Sequence, residues 1–414
     1  MTPPIHHPRR TVLLVAAGLV ATAGLLPVAV LAATELVVWH AYRGNEKSAF
    51  EKVVGMYNKS QSDVTVKTLA VPYDAYADKI SASIPRGRGP DVFIFAQDRL
   101  GGWVEGGQTV ESIDFYLEDE TVESLVPNMM EAMTYRDTVY GLPFNYKSIA
   151  MIYNTDLVKT PPKTTGELVR IAKQHTDKAT GRFGLAYEYP NFFYHAALMN
   201  AFGGQVFGDG ATPKIDTAAN VKAIDLMLKW YQKDGILPAD PSSALISSLF
   251  NDGKAAIVFN GPWFIGEVGS GVKYAIAPLP NVDEAGGKPM APWLTVEGIY
   301  VSAGSNHQED AYNFARYLIT KEAALVMAVE GRQLPTNKAV YQESAVAGDP
   351  VLSAYRKQLE TAVSMPNYAE MTLMWSPVTT AMNKIVKGSA APAVALKEAQ
   401  ATVATSIAAL RKSR

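Results

Sequence analysis

An alternation of short apolar runs with helix-patterned segments constrains the fold more than any other feature of the sequence. Leu36-Val37-Val38-Trp39 is typical of a buried strand, and residues 50–57 then place apolar side chains at i, i+3, i+4 and i+7, the spacing of one helix face. An alternating strand at 64–69, a helix ended by Pro85 and an apolar strand at 92–95 follow. This β-α-β-α-β order predicts an α/β layer with a parallel sheet, whose ligand sites lie beyond the carboxyl ends of the strands.

The alternation returns further along the chain. A strand at 183–187, a helix at 221–231 and a buried strand at 255–259 form a second group, and a strand at 299–301 leads into another helix. The chain after about Tyr341 is mostly helix-patterned. No repeat of 20–50 residues is visible, so we predict two α/β regions and no solenoid.

The first 32 residues have the organisation of an export signal. Arg9 and Arg10 precede an apolar run without charge as far as Glu35, and small residues close the run at Val30-Leu31-Ala32. This predicts a signal peptide cleaved after Ala32 and a periplasmic protein. The alternative is a retained membrane anchor, because the run exceeds about 18 residues. Pro27 and the small residues favour cleavage.

Composition excludes several classes of function. The formal net charge is −2, and without Arg9 and Arg10 it is −4, from 36 basic and 40 acidic side chains. Nucleic-acid binding needs a clustered basic face, so we expect no nucleic-acid partner. The absence of cysteine excludes disulfides, a thiolate nucleophile and cysteine-ligated metals.

Motifs of the common enzyme classes are missing. There is no G-x-S-x-G, Walker A, strand-linked G-x-G-x-x-G or H-E-x-x-H sequence. The four histidines after residue 32 are never three to five residues apart, so we expect no metal and no cofactor. We predict that the protein is not an enzyme. A secreted glycosidase stays open as a remote alternative, because it needs only two carboxylates about 5–9.5 Å apart. Replacement of Asp98 or Glu188 would then abolish turnover.

Several segments occur in the order found in one family. They are LVVWHAY (36–42), GPDV (89–92) with FAQDR (95–99), YGLPF (140–144) with MIYN (151–154), FNDGKAAI (250–257) with NGPW (260–263), and MPN (365–367) with Trp375. Together they resemble the family 1 extracellular solute-binding proteins of ABC importers, and within it the maltose/maltodextrin-binding branch. The segment from 250 to 263 is the most specific, and the set covers nearly all of the chain after residue 32.

The resemblance implies an α/β fold of the periplasmic-binding-protein type II clamshell, with two lobes joined by about three hinge crossings. Lobe one would hold residues 33–145 and 298–341, and lobe two 146–297 and 342–414. The implied function is capture of a small-molecule carbohydrate (maltose, maltodextrin or a related oligosaccharide) by hinge closure. The partner would be a membrane ABC permease with its ATPase, and we expect a monomer.

A sugar site needs flat rings for the pyranose faces and charged or amide groups for the hydroxyls. By resemblance the stacking rings are Phe95, Phe193, Tyr194, Trp263 and Trp375. Trp375 precedes Pro377, so we expect it at an interruption of the chain. Trp293 is a further candidate because it lies close to the Glu297-Gly298 crossing. The alternative for each ring is core packing.

Polar groups are expected around the same cleft. Tyr42 and Arg43 follow the first strand, where the rim is expected, and Asp78 lies in a helical segment near it. Asp98 and Arg99 match a family Asp-Arg pair at the cleft edge. The alternative for that pair is a structural ion pair.

The sequence departs from the branch at several polar positions. Lys147 and Asn191 stand where maltodextrin binders carry acidic groups, and Arg43 lies near another such position. Thr379 replaces the arginine expected four residues after Trp375. The rim is therefore less acidic than in the branch. A different disaccharide, or an anionic ligand such as a glycerophosphate held by Arg43, Arg99 and Lys147, stays open.

Overall fold

The computed structural model describes residues 33–127 and 129–412, so the predicted signal peptide lies outside the described residues. Helices and strands alternate along this part of the chain, as the apolar pattern predicts. No helix within it has the length and hydrophobicity that spanning a membrane requires.

The α-helices of the described chain are α1 (Gly44–Ser60), α2 (Tyr73–Ser83), α3 (Leu100–Gly106), α4 (Asp119–Glu123), α5 (Thr165–His175), α6 (Phe192–Ala201), α7 (Ala218–Leu228), α8 (Ser243–Asn251), α9 (Gln308–Leu318), α10 (Lys321–Val329), α11 (Ser344–Ala347), α12 (Pro350–Leu359), α13 (Met371–Val386) and α14 (Pro392–Lys412).

The strands are β1 (Thr34–His40), β2 (Val64–Ala70), β3 (Val92–Ala96), β4 (Thr134–Tyr135), β5 (Thr138–Val139), β6 (Gly141–Lys147), β7 (Ala150–Asn154), β8 (Phe183–Ala186), β9 (Phe207–Gly208), β10 (Thr212–Pro213), β11 (Ala255–Asn260), β12 (Tyr274–Ala277), β13 (Asn281–Val282), β14 (Lys288–Pro289), β15 (Trp293–Val301), β16 (Leu334–Pro335) and β17 (Val363–Ser364).

The larger sheet has the strand order β16-β6-β15-β3-β1-β2, with β17 attached to β15. β1 pairs in parallel with both β2 and β3, which confirms the parallel layer predicted for the start of the chain. β15 runs antiparallel to β3 and β6, so the complete sheet is mixed. All five residues of β3 are buried, because both faces of this sheet are covered.

The smaller sheet has the order β12-β7-β11-β8 and belongs to the second α/β region. β11 is parallel to β8 and antiparallel to β7. Its core includes Ile257 and Phe259, both fully buried. The two sheets are the centres of two α/β lobes.

Strands β6 and β15 are paired neighbours that run through two of the predicted lobe boundaries, at 145/146 and 297/298. Thr295 lies opposite Lys147 at one end of the pairing and Tyr300 lies opposite Gly141 at the other. The register shifts between Glu297 and Gly298, where a bulge weakens the ladder locally. We propose that this bulged pair is the hinge, with the lobe boundaries given above.

Candidate functional site

Five of the predicted rings form one connected cluster. The Phe193 ring lies 6.2 Å from Trp263 and 6.4 Å from Trp293, and Trp293 lies 5.8 Å from Trp375, all between ring centroids. Tyr194 packs edge-on against Phe193 at 5.7 Å. Phe193, Trp263 and Trp375 are half-buried, whereas Tyr194 and Trp293 are buried. Phe193, Trp263 and Trp375 can therefore contact a ligand. The buried Trp293 packs against two of them, Phe193 and Trp375.

Local structure places each half-buried ring. Asn191 caps α6: its side-chain oxygen accepts a hydrogen bond from the Phe193 amide at 3.1 Å, which stabilises the start of this helix. Trp263 follows Gly261-Pro262 at the end of β11 and lies in a 3₁₀ turn. A Cβ added to Gly261 would lie 2.1 Å from the Trp263 indole, so this glycine leaves the space that the ring occupies.

The expected chain interruption at Trp375 is wrong. α13 continues from Met371 to Val386 with Pro377 inside it. A proline in a helix removes one backbone hydrogen bond, and here the fully buried Met374 and Val378 on either side of it hold the helix against the core. The Trp375 side chain therefore projects from a continuous helix.

The Asp98-Arg99 pair reaches the Trp375 ring from the end of β3. Trp375 Nε1 donates a hydrogen bond to Asp98 Oδ2 at 2.9 Å. Arg99 Nε lies 3.2 Å from the same oxygen without hydrogen-bond geometry, and its guanidinium lies 5.8 Å from the centre of the Trp375 ring. Burial raises the pKa of Asp98 to about 6, although Arg99 and the Trp375 hydrogen bond both act to lower it. These contacts join the two predicted lobes.

Lys147 lies at the centre of a buried charge network. Its Nζ is 3.0 Å from Glu46 Oε1 and 3.0 Å from Glu297 Oε1. The Tyr42 hydroxyl donates to Glu297 Oε2 at 2.9 Å. Burial acts to lower the pKa of Lys147, but Glu297 and Glu46 outweigh it and hold that pKa above its usual value. The ammonium also lies 5.8 Å from the centre of the Trp263 ring, so the network adjoins the ring cluster.

The two lobes also touch at the rim. Arg43 Nε lies 2.7 Å from Glu267 Oε1, and Arg43 Nη2 donates to Ser243 Oγ at 3.5 Å. Backbone atoms approach nearby, since a Cβ on Gly44 would lie 3.4 Å from the carbonyl oxygen of Gly266. Residues of the two predicted lobes are therefore in contact at Arg43 and Glu267 as well as at Asp98 and Trp375.

Two predicted residues do not join the cluster. Phe95 is only 4% exposed and packs against the rings of Tyr73, Tyr76 and Trp103. Its position at the carboxyl end of β3 is as expected, but its ring is covered. Asp78 is exposed on α2, opposite the face that buries Tyr76, and none of its contacts among the described residues reaches the cluster.

Sequence reasoning missed Glu46, Glu297 and Tyr73 as site residues. Glu46 resembles an ordinary acidic residue in the first turn of a helix. Glu188 was considered only for the glycosidase alternative, and it follows β8, where ligands are expected beyond the carboxyl ends of strands. Burial raises the pKa of Glu188, and the charge of Asp74 on the first predicted lobe adds to that rise.

Comparisons with known proteins agree with this geometry. Residues 52–354 match the family model of the bacterial extracellular solute-binding proteins. The maltotriose-binding protein of Pyrococcus abyssi is 30% identical over 357 residues, which are 85% of this chain and 78% of that protein. A maltooligosaccharide ABC transporter solute-binding lipoprotein of Streptococcus pneumoniae is 28% identical over 358 residues, 83% of this chain and 82% of the relative.

A solved structure extends the similarity to the whole fold. The Thermus thermophilus maltotriose-binding protein, bound with maltotriose, aligns with a TM-score of 0.83 and 25% identity over 90% of this chain and 100% of that one. The clamshell fold expected from the resemblance is confirmed. The chain belongs to the bacterial extracellular solute-binding protein family.

Proposed function

We propose that this protein binds a neutral oligosaccharide of the maltodextrin type between its lobes and delivers it to an ABC permease. The observation that carries the proposal is the set of half-buried rings Phe193, Trp263 and Trp375, bordered by buried charged groups. Flat rings suit the C–H faces of pyranoses, and ionised side chains form strong hydrogen bonds with hydroxyls. Relatives that are named for maltotriose and maltooligosaccharides support the same ligand class.

The charge pairing supports a neutral ligand over an anionic one. Lys147 is held by Glu46 and Glu297, and each of the two arginines named for the anionic alternative also has a carboxylate within 4 Å: Arg43 has Glu267, and Arg99 has Asp98. A phosphate would have to compete with these carboxylates for every cation. A sugar hydroxyl can instead donate to a carboxylate and accept from its cationic partner without breaking the pair.

The remaining parts of the proposal concern location and chemistry. We propose that residues 1–32 are a cleaved signal peptide and that the mature chain is a monomer in the periplasm. No catalysis is proposed, because the matching family and the similar proteins are substrate-binding proteins.

A thermal-shift screen with maltose, maltotriose, trehalose, sucrose and glycerol phosphate tests the function. Ligand at about 100 times its dissociation constant adds about 2.7 kcal/mol to the free energy of unfolding. We expect maltotriose to raise the melting temperature and glycerol phosphate to leave it unchanged. A shift with glycerol phosphate alone would overturn the neutral-ligand proposal. Release of shorter sugars from maltotriose during a day of incubation would restore the glycosidase alternative.

A further inference from the structure

Tyr73 is an exposed aromatic residue that the functional proposal does not use. It is 60% exposed, yet its ring lies parallel to that of Phe95, with 5.3 Å between centroids and 14° between planes. Phe95, which the family resemblance assigns to the ligand, is buried beneath it. One face of the Tyr73 ring is therefore covered by Phe95, and the other is open.

The surroundings of Tyr73 hold this ring in place before any ligand arrives. Tyr73 is the first residue of α2 and follows Pro72, whose φ is fixed near −54°. Phe95 beneath it is held edge-on by Tyr76 at 5.3 Å and by Trp103 at 5.7 Å. A ring that already stacks on a buried partner loses less conformational entropy on binding than a free ring, which favours its use as a platform.

Tyr73 also lies close to the charged groups of the site, because the Phe95 ring beneath it comes from the carboxyl end of β3, which leads directly into Asp98 and Arg99. Burial raises the pKa of the Tyr73 hydroxyl despite the ring's exposure, and the charges of Asp98 and Glu297 raise that pKa further. The ring contacts of Tyr73 are with Phe95, so its open face is separate from the cluster of Phe193, Trp263 and Trp375.

We propose, on the basis of the oligosaccharide function above, that Tyr73 forms a further stacking subsite. Its open face would bind a sugar ring beyond those that contact Trp263 and Trp375. Phe95 would then act as a positioning residue beneath it. This subsite would make affinity depend on the length of the oligosaccharide, because a chain that extends from Trp263 and Trp375 to Tyr73 makes one more stacking contact.

Calorimetric titration of Tyr73→Ala with maltose and with maltotetraose tests this subsite. We expect about a fivefold or greater loss of affinity for maltotetraose and no change for maltose. Tyr73→Phe should keep the wild-type affinities, because the flat ring remains. Tyr73→Leu should behave as Tyr73→Ala does, because it keeps apolar bulk without a flat face. Phe115→Ala is the matched control, since Phe115 is an aromatic residue 89% exposed elsewhere on lobe one.

The outcomes separate this subsite from the proposed function. If wild-type protein binds neither sugar, the oligosaccharide function itself fails. If the wild type binds both and Tyr73→Ala leaves the ratio of the two affinities unchanged, only the subsite is refuted. Equal loss for both sugars would also refute it, because Tyr73 would then contact a ring that maltose already supplies. Circular dichroism of each variant checks that the fold is retained.

Discussion

Replacement of Asp98 by asparagine measures the free-energy cost of burying the charge of this carboxylate. The Asp98 side chain is 5% exposed, and burial raises its pKa from 3.8 to about 6. This rise in the pKa of Asp98 corresponds to a free-energy difference of about 3 kcal/mol between its two protonation states. Arg99 and Trp375 stabilise the charged form, but the raised pKa shows that they do so incompletely.

The sign of the effect follows from proton binding. Between pH 3.8 and 6 the native state binds this proton more tightly than the unfolded state, so this group's contribution to stability falls as pH rises through that range. Above about pH 6 the ionised carboxylate costs the ligand-free fold its full penalty, and below pH 3.8 the penalty is absent. Asp98→Asn removes the charge and keeps an oxygen that can accept from Trp375 Nε1.

We therefore expect Asp98→Asn to raise the ligand-free unfolding free energy by about 3 kcal/mol at pH 7.5 and by less than about 1 kcal/mol at pH 4. Urea denaturation at the two pH values measures this difference. Asp156→Asn is the matched control, because Asp156 and Lys273 form an exposed pair 3.4 Å apart, whose loss should change little at either pH. The same Asp98→Asn variant should bind maltotriose about tenfold more weakly, because a charged acceptor is lost.

A stability gain that is equal at both pH values would refute the reasoning, since the charge of Asp98 would not be its cause. Destabilisation at pH 7.5 would also refute it and would make Asp98 and Arg99 a structural ion pair. Wild-type affinity for maltotriose should fall as pH drops through about 6, as protonation removes the charged acceptor.

Three further variants test the site. Trp263→Ala should weaken maltotriose binding by more than about fivefold with the fold intact, as measured by calorimetry and circular dichroism; unchanged affinity would assign Trp263 to the core. Gly261→Ala should weaken the same binding, because its Cβ would lie 2.1 Å from the Trp263 indole, and an unaltered affinity would show that the ring position is not required. Lys147→Met should lower stability by about 3–5 kcal/mol in urea denaturation, since it leaves Glu46 and Glu297 buried without their cation, whereas a loss below about 1 kcal/mol would contradict the network.

Local patterns in the sequence were enough to predict the α/β layers. The run from Leu36 to Trp39 and the helix spacing of residues 50–57 each depend on neighbours within a few positions, and both elements form as expected. The parallel pairing of β1 with β2 and β3 follows from the same order. Ordered motifs then located Trp263 and Trp375, whose rings the structure brings into one cluster with Phe193.

The polar network could not be predicted from local patterns. Glu46 on α1 and Lys147 at the end of β6 are 101 residues apart, so their contact depends on the tertiary arrangement of two distant elements. The sequence indicated no ion-pair partner for Lys147. In the structure its ammonium forms salt bridges with Glu46 and Glu297. The burial of Phe95 could not be predicted from local patterns either, because the Tyr73 ring that covers it belongs to a different element, α2.

Calorimetric titration of maltotriose into wild-type protein and the Trp263→Ala/Trp375→Ala double variant tests most directly whether a sugar is held on these rings. We expect one saturable site per wild-type chain and an affinity loss of at least about a hundredfold in the double variant, about 2.7 kcal/mol or more. Wild-type binding that survives in the double variant with the same affinity and stoichiometry would contradict a sugar site built on Trp263 and Trp375.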